Sequence, residues 1–222
     1  MTRLALFDLD HTLLSGDSDV LWCEFLMQQG LLPRAEFEAS NARMAERYRE
    51  GSVTPAEFCD FYVSTLAGRS LAEWQPWRER FVNEVVVPLI PRSAQDLLDS
   101  HRQRGDMLVL TTASNRFITE PTAAHLGLAH LIATEAEQLT GQFSGRTAGT
   151  LNMREGKLLR LRAWLKDQGL PPSLLAGASF YSDSSNDLPL LRAVGHPVAV
   201  DPDETLLAIA VDAGWPVLRL RR

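Results

Sequence analysis

An apolar run of strand length, Leu4-Ala5-Leu6-Phe7, meets two aspartates two positions apart in Asp8-Leu9-Asp10, and the chain then turns polar at His11-Thr12. A short, continuous apolar run suits a strand buried on both faces at the centre of a parallel sheet. Side chains i and i+2 of a strand share a face, so Asp8 and Asp10 can stand side by side where this strand ends. Two carboxylates that close repel each other, and folding alone gives little reason to place them there. A metal ion, a nucleophile or a proton donor each gives one. The plain alternative is a strand that ends in an Asp-rich turn, and the rest of the chain decides between them.

The 222 residues leave room for one large domain, or for a domain with an insert. No apolar run approaches the roughly 20 residues that span a bilayer. Arg3 is followed by a strand with two acids rather than by a signal-peptide core, so the expectation is a cytoplasmic protein without a membrane partner. Cys23 and Cys59 lie far from the acidic motif, show no zinc spacing and read as buried filler. The net charge is -6, and residues 16–87 hold 12 acids against 7 Arg and Lys, so one segment carries nearly all of the excess. No basic stripe with interleaved aromatics appears, which argues against nucleic acid as a partner.

Taken in order, residues 4–10 read as the central strand. After Ser15-Gly16 the pattern becomes helical. Ser18 can cap a helix carrying Leu21, Trp22, Phe25 and Leu26, with Gly30 stopping it. Residues 34–50 are polar at helical spacing. Thr54-Pro55-Ala56-Glu57 and Ser70-Leu71-Ala72-Glu73 are two capping boxes. Residues 16–87 therefore read as an all-helical insert of about four helices. Pro88 and Pro91 mark the seam, and strands and helices alternate from there. The expected strands cover 107–110, 131–133, 178–181, 197–200 and 216–220, with a hairpin or flap over 136–148. Alternation of this kind specifies an α/β fold, a doubly wound parallel sheet. The expected division is a catalytic core of residues 1–15 and 88–222 with a helical cap of residues 16–87 inserted after the first strand.

In open α/β sheets, ligands bind at the carboxyl ends of the strands. Asp8 with Asp10, Thr112, Lys157, and Asp183 with Asp187 all fall at or just beyond such ends. Each has a bland explanation alone: a helix cap, a solvated lysine, an N-cap aspartate. One chemistry needs them all, phosphoryl transfer through an aspartyl-phosphate. A carboxylate attacking a phosphate dianion meets like charge, which Mg²⁺ held by oxygens such as those of Asp8 and Asp183 can relieve. A lysine and a hydroxyl, Lys157 and Thr112, suit the charge on the transferring group. A second carboxyl group, Asp10, can protonate the leaving alcohol and later activate water.

With these residues in place, the chain resembles the haloacid dehalogenase (HAD) superfamily, in its phosphoserine-phosphatase-like branch. Asp8-Leu9-Asp10-His11-Thr12 is similar to the first motif, D-x-D-x-T. Thr112 after an apolar strand resembles the second, Lys157 the third, and Ser182-Asp183-Ser184-Ser185-Asn186-Asp187 the acidic fourth, in family order across nearly the whole chain. The resemblance implies a Rossmann-like core with a helical cap. It implies Asp8 as nucleophile and Mg²⁺ ligand, and Asp10 as acid/base whose backbone carbonyl also binds the metal. It further implies Asp183 as a metal ligand, Asp187 as support for the metal site and for Lys157, and Thr112 with the Ala113 amide as holders of phosphate oxygens. The family's dehalogenases lack the second aspartate, so Asp10 argues for phosphatase chemistry.

Substrate choice falls to the cap. In phosphoserine phosphatases a Glu nine positions after the nucleophile reads the ammonium group and an Arg reads the carboxylate. Here Asp17 stands at that position, and Arg43, Arg47 and Arg49 are the candidate carboxylate readers. A Gly pair usual after the second-motif hydroxyl is replaced by Ala113-Ser114. The expected substrate is a small amino-bearing phosphate ester, phosphoserine-like or histidinol phosphate. The alternatives are a phosphomutase on the same fold, a signalling receiver, and a non-catalytic phospho-ligand-binding protein. The chain's length and the late Asp183/Asp187 pair speak against a receiver.

Overall fold

The structure, a computed structural model, describes residues 3–220, leaving aside the side chains of Ala45, Tyr48 and Arg49. Strand β1 (Leu4–Phe7) is buried at every position, as its unbroken apolar run requires. It pairs in parallel with β2 (Met107–Asn115) on one side and β5 (Ser179–Ser182) on the other. With β3 (His130–Leu139), β4 (Gln142–Ala148), β6 (His196–Val200) and β7 (Val217–Leu218), the sheet order is β4-β3-β2-β1-β5-β6-β7. Only β4 runs antiparallel, as the return strand of the β3–β4 hairpin. The chain leaves β1 in both directions along the sheet, so the carboxyl end of β1 is the switch point where such sheets bind ligands.

The alternation of β1 sorts the core into two layers. Ala5 and Phe7 join one cluster with α5 (Arg92–Gln103) and α6 (Arg116–His125), through Leu98, Phe117 and Ile118. Leu4 and Leu6 join the other with α7 (Glu155–Asp167), the short α8 (Leu188–Leu191) and α9 (Glu204–Ala213). Helices therefore cover both faces, as a doubly wound sheet requires.

The segment between β1 and α5 holds α1 (Ser18–Gln28), α2 (Arg34–Arg49), α3 (Pro55–Val63) and α4 (Leu71–Phe81), followed by a π-helical turn at Val82–Val86. Both capping boxes form, Thr54 with Glu57 and Ser70 with Glu73. The residue capping α1 is Asp17, not Ser18: its carboxylate accepts from the Val20 amide. Trp22 of α1 packs edge-on against Trp74 and Phe81 of α4 and against Phe117 of α6, with ring centroids 5.1–5.6 Å apart. Buried Arg78 of α4 donates to the Phe117 carbonyl and to Glu120, 2.8 Å away. Thus α1 and α4 share one hydrophobic cluster with the sheet. Among the described residues, no helix is long and apolar enough to cross a membrane.

Two strands run longer than their apolar residues suggest. β2 extends through Thr111 and Thr112 to Asn115, because those buried polar side chains find partners inside the fold. β3 extends to Leu139 because β4 pairs with its outer half.

Candidate active site

The carboxyl ends of β1, β2 and β5 open into a cavity of about 420 Å³, roofed by α2 and α3. Asp8 follows β1 directly, and its amide still donates to the Tyr181 carbonyl of β5 (2.9 Å), so the sheet itself fixes the carboxylate. The chain then turns tightly. His11 takes φ +56°, a left-handed conformation that costs a non-glycine residue energy, and this turn brings Asp10 to the same cavity.

Lys157, in the first turn of α7, is 2% exposed, and its ammonium bridges Asp8 Oδ1 (2.9 Å) and Asp187 Oδ2 (2.6 Å). Asp187 Oδ2 also accepts from Ser182 Oγ (2.7 Å). Thr12 Oγ1 lies within reach of both Asp8 Oδ2 (3.4 Å) and Asp183 Oδ1 (3.3 Å), so one hydroxyl ties the first motif to the fourth. Asp10 accepts from the Ser18 amide (2.7 Å), Ser114 Oγ (2.6 Å) and Thr112 Oγ1 (3.3 Å). Thr112 is fully buried behind this contact, while Ala113 and Ser114 line the cavity. The structure therefore brings together Asp8, Asp10, Thr112, Lys157, Asp183 and Asp187, from four separate stretches of chain.

The electrostatics are unbalanced. Burial pushes the Asp8 carboxyl well above the usual range, against the pull of Lys157, and Asp187, Asp183 and Asp10 add to the rise. Burial and Asp187 raise Asp183 to about 7. Burial also works against the Lys157 charge, yet Asp187 and Asp8 outweigh it and hold its pKa above the ordinary lysine value. The two short contacts make Lys157 a cation, and one cation cannot offset four carboxyl groups. An all-oxygen donor set with excess negative charge fits a hard dication such as Mg²⁺. Among the described residues no three His, Cys, Asp or Glu side chains converge as an all-protein metal cage. Mg²⁺ does not need one, since it keeps several waters and is held by one or two carboxylates with substrate oxygens.

The cavity walls carry a second acidic pair. Asp17 lines it beside Asp19, whose Oδ1 accepts from Asn115 Nδ2 (2.9 Å). Burial and Asp10 raise the Asp17 pKa to about 7, and burial and Asp17 push Asp19 well above the usual carboxylate range. Met44, Phe58 and Tyr62 form the apolar wall on the side of α2 and α3. Among the described residues lining this cavity, Lys157 is the only Lys or Arg. Of the expected carboxylate readers, Arg43 bonds Ser40 and Arg47 bonds Glu57 and the Ser52 carbonyl, and neither lines the cavity. The Arg49 side chain lies outside the described residues.

No role for Thr12, Asp19, Ser114, Ser182 or Asn152 is legible in the sequence alone. Asp19 carried a signal, because Asp17-Ser18-Asp19 repeats the D-x-D spacing of the first motif. Positions i and i+2 diverge on a helix. Here Asp17 is an extended N-cap residue, so both carboxylates reach one cavity.

The fold and these residues define a class. The chain belongs to the haloacid dehalogenase-like hydrolases, whose family model matches residues 5–192. Within it the chain is a phosphatase-type enzyme, as the four motifs implied. It is 38% identical over the full length of both chains to a histidinol-phosphatase of Neisseria meningitidis. It is 30% identical over its whole length, and 72% of the relative's, to a phosphoserine phosphatase of Mycobacterium tuberculosis. Among solved structures, a Bordetella pertussis protein of unknown function superposes with TM-score 0.95 at 42% identity over both full chains. A phospho-aspartyl intermediate analogue of phosphoserine phosphatase shares the fold at TM-score 0.69 and 16% identity, covering 100% of this chain and 94% of that one.

Proposed function

We propose that this protein is a Mg²⁺-dependent phosphomonoester hydrolase working through an aspartyl-phosphate on Asp8. Its substrate is a small cytoplasmic ester that carries an amino group and no carboxylate, with histidinol phosphate as the best fit. The observation that supports this most is the cavity's charge plan: a phosphoryl pole at Asp8 and Lys157, two further acids at Asp17 and Asp19, and no arginine among the described residues of the wall. Phosphoserine would bring a carboxylate for which the described residues of the cavity offer no cation beyond Lys157, already bridged between Asp8 and Asp187. An ammonium meets Asp17 and Asp19, and a flat ring can lie along Phe58 and Tyr62. The 38% identical histidinol-phosphatase points the same way.

In this scheme an Asp8 oxygen attacks phosphorus as the bond to the leaving alcohol breaks, and Asp10 gives that alcohol its proton. A water then attacks the phosphorylated Asp8 with its proton passing to Asp10, which releases phosphate and restores both carboxyl groups. Lys157 holds Asp8 and faces the equatorial oxygens, while the Ala113 amide receives another, joined by the Thr112 hydroxyl as it turns from Asp10 to the bound phosphoryl. Asp8, Asp183 and the Asp10 carbonyl would hold Mg²⁺, with Asp187 behind them as the anchor of Lys157. The ion supplies positive charge against the phosphate and favours the ionised form of Asp8. Residues 16–87 act as the cap that admits and encloses substrate. Because α1 and α4 are packed into the sheet's own cluster, opening falls to α2 and α3.

Specificity gives one test. Asp19→Asn is expected to lower kcat/KM for histidinol phosphate at least about tenfold, the worth of one charge-assisted contact. Activity on an aryl phosphate without an amino group should stay within about threefold, since nothing there pairs with Asp19. An equal loss on both esters would contradict the assignment.

Metal linkage gives another. A carboxyl group whose folded pKa is raised contributes stability that is present below its unfolded value near 4 and is lost as pH rises through the folded value. With Asp183 near 7, the metal-free protein should lose stability between about pH 4 and pH 7. Mg²⁺ at about 100 times its Kd should then raise the melting midpoint by about 5–10 °C at pH 8. At pH 5 it should raise it by less than about 2 °C, because protons occupy its ligands. An equal shift at both pH values would count against these ligands.

A further inference from the structure

Asn152 lies outside all four motifs and is completely buried in the stretch before α7. Its carboxamide nitrogen reaches three acceptors on two adjacent strands: Thr111 Oγ1 (3.0 Å) and the Thr112 carbonyl (2.9 Å) of β2, and the Ile132 carbonyl (2.9 Å) of β3. Its own amide donates to Thr134 Oγ1 (3.1 Å) of β3. These contacts sit beside the point where the β2–β3 register shifts, between Thr112 and Asn115. There β2 leaves regular pairing and turns Ala113 and Ser114 to the cavity. The carboxamide oxygen is buried without a hydrogen-bond partner, so the side chain is not held there by full satisfaction of its own polar atoms.

From Asn152 the chain has five residues in which to deliver Lys157. It does so through a constrained turn. Arg154 has φ +53° and ψ −127°, outside the regions an L-residue favours. A Cβ on Gly156 would stand 2.1 Å from the Leu151 carbonyl oxygen, so only glycine fits. A turn this tight transmits the placement of its first fixed point to its last.

We propose that Asn152 is a positioning residue of the reaction, a peg that fixes the end of β2 carrying Thr112 against the turn that delivers Lys157. The proposal rests on the phosphoryl-transfer roles given above to Thr112 and Lys157. The two groups reach the transferring phosphoryl from different elements, and Asn152 bonds directly to the backbone of one and lies at the root of the other. Removing the carboxamide lets the two move apart, and a displacement near 1 Å in such a constellation can lower turnover about a hundredfold.

The test is steady-state hydrolysis of an aryl phosphate with Mg²⁺, per folded molecule, for Asn152→Ala, Thr112→Ala and the double variant. Leu206→Ala, a core truncation in α9, which packs on β6 and contributes nothing to the cavity wall, is the matched destabilised control. Asn152→Ala is expected to lower kcat about 10–100-fold with KM within about threefold, while Leu206→Ala loses stability and keeps its kcat. Because Asn152 acts through Thr112, the double variant should lose far less than the product of the two single losses. A kcat for Asn152→Ala within twofold of the wild type, or fully multiplicative losses, would overturn the proposal. An unimpaired Thr112→Ala would instead contradict the role of Thr112, and with it the reading of the site. Should Asn152→Ala not fold, Thr111→Val removes one of the three acceptors at nearly constant shape. It is then expected to lower kcat at least about threefold at unchanged KM, and an unchanged kcat overturns the proposal.

Discussion

Asp8→Asn is expected to abolish phosphate release, by at least about 10⁴-fold in kcat, and to leave a folded protein at least as stable as the wild type at pH 8. The two halves have one cause. The amide keeps the size of the carboxylate and can still accept from Lys157 Nζ, now 2.9 Å from Asp8, but it cannot form the acyl-phosphate bond. Asn also removes a carboxyl group that burial and three neighbouring acids push well above its usual pKa. At pH 8 the wild-type charge is a cost to folding, and Asn relieves it. Lost activity with unchanged or raised melting temperature cannot come from unfolding. Phosphate-release kinetics beside a thermal melt check it, and residual activity above about one per cent would remove Asp8 from the nucleophile's role.

Lys157→Met should carry the largest stability loss of any single change in the site. The ammonium is enclosed between Asp8 and Asp187, and deleting one partner of a buried ionic cluster strands the others. The expected cost at pH 8 is about 3–5 kcal/mol, which lowers the melting midpoint of a chain this size by about 10 °C. The pH dependence follows from direction alone. A lysine whose folded pKa is raised contributes stability that is fully present below its unfolded value and is lost as pH rises through the folded one, so wild-type Lys157 contributes throughout the neutral range. In the variant, falling pH protonates the stranded Asp8, and the deficit should shrink between pH 8 and pH 5. A pH-independent deficit would mean that lost packing, not unpaired charge, explains it. Turnover should fall with stability at pH 8, since Asp8 loses the cation that orients it.

Much of this site was legible in the residues. The unbroken apolar stretch Leu4–Phe7 marked a strand buried on both faces, and its position in the sheet places Asp8 at the switch point. The two capping boxes are local chemistry, complete within four residues, and both form. What escaped depends on partners distant in the chain. Thr111-Thr112-Ala113-Ser114-Asn115 has the composition of a turn, yet it continues β2 because Asn152, forty residues on, satisfies its buried groups. Asp17 displaces Ser18 as the cap of α1: its carboxylate takes the Val20 amide, while Asp10, from the preceding turn, takes the Ser18 amide. Asp19 belongs to the site only through tertiary structure, because α1 enters the cavity beside β2, where Asn115 meets it. The polar helix α2 hid its inward residue in plain sequence, for Met44 faces the cavity while Arg43 and Arg47 bond elsewhere.

On the proposed function, an acidic cavity whose described residues offer no cation but Lys157 selects an amino-bearing phosphate ester without a carboxylate. The most direct measurement is the ratio of kcat/KM for histidinol phosphate to that for phosphoserine, by phosphate release with Mg²⁺ at pH 7.5. The charge plan of Asp17, Asp19 and Lys157 predicts a ratio of at least about 100, the combined effect of one gained ion pair and one unpaired carboxylate. A ratio near one, or a preference for phosphoserine, would contradict it.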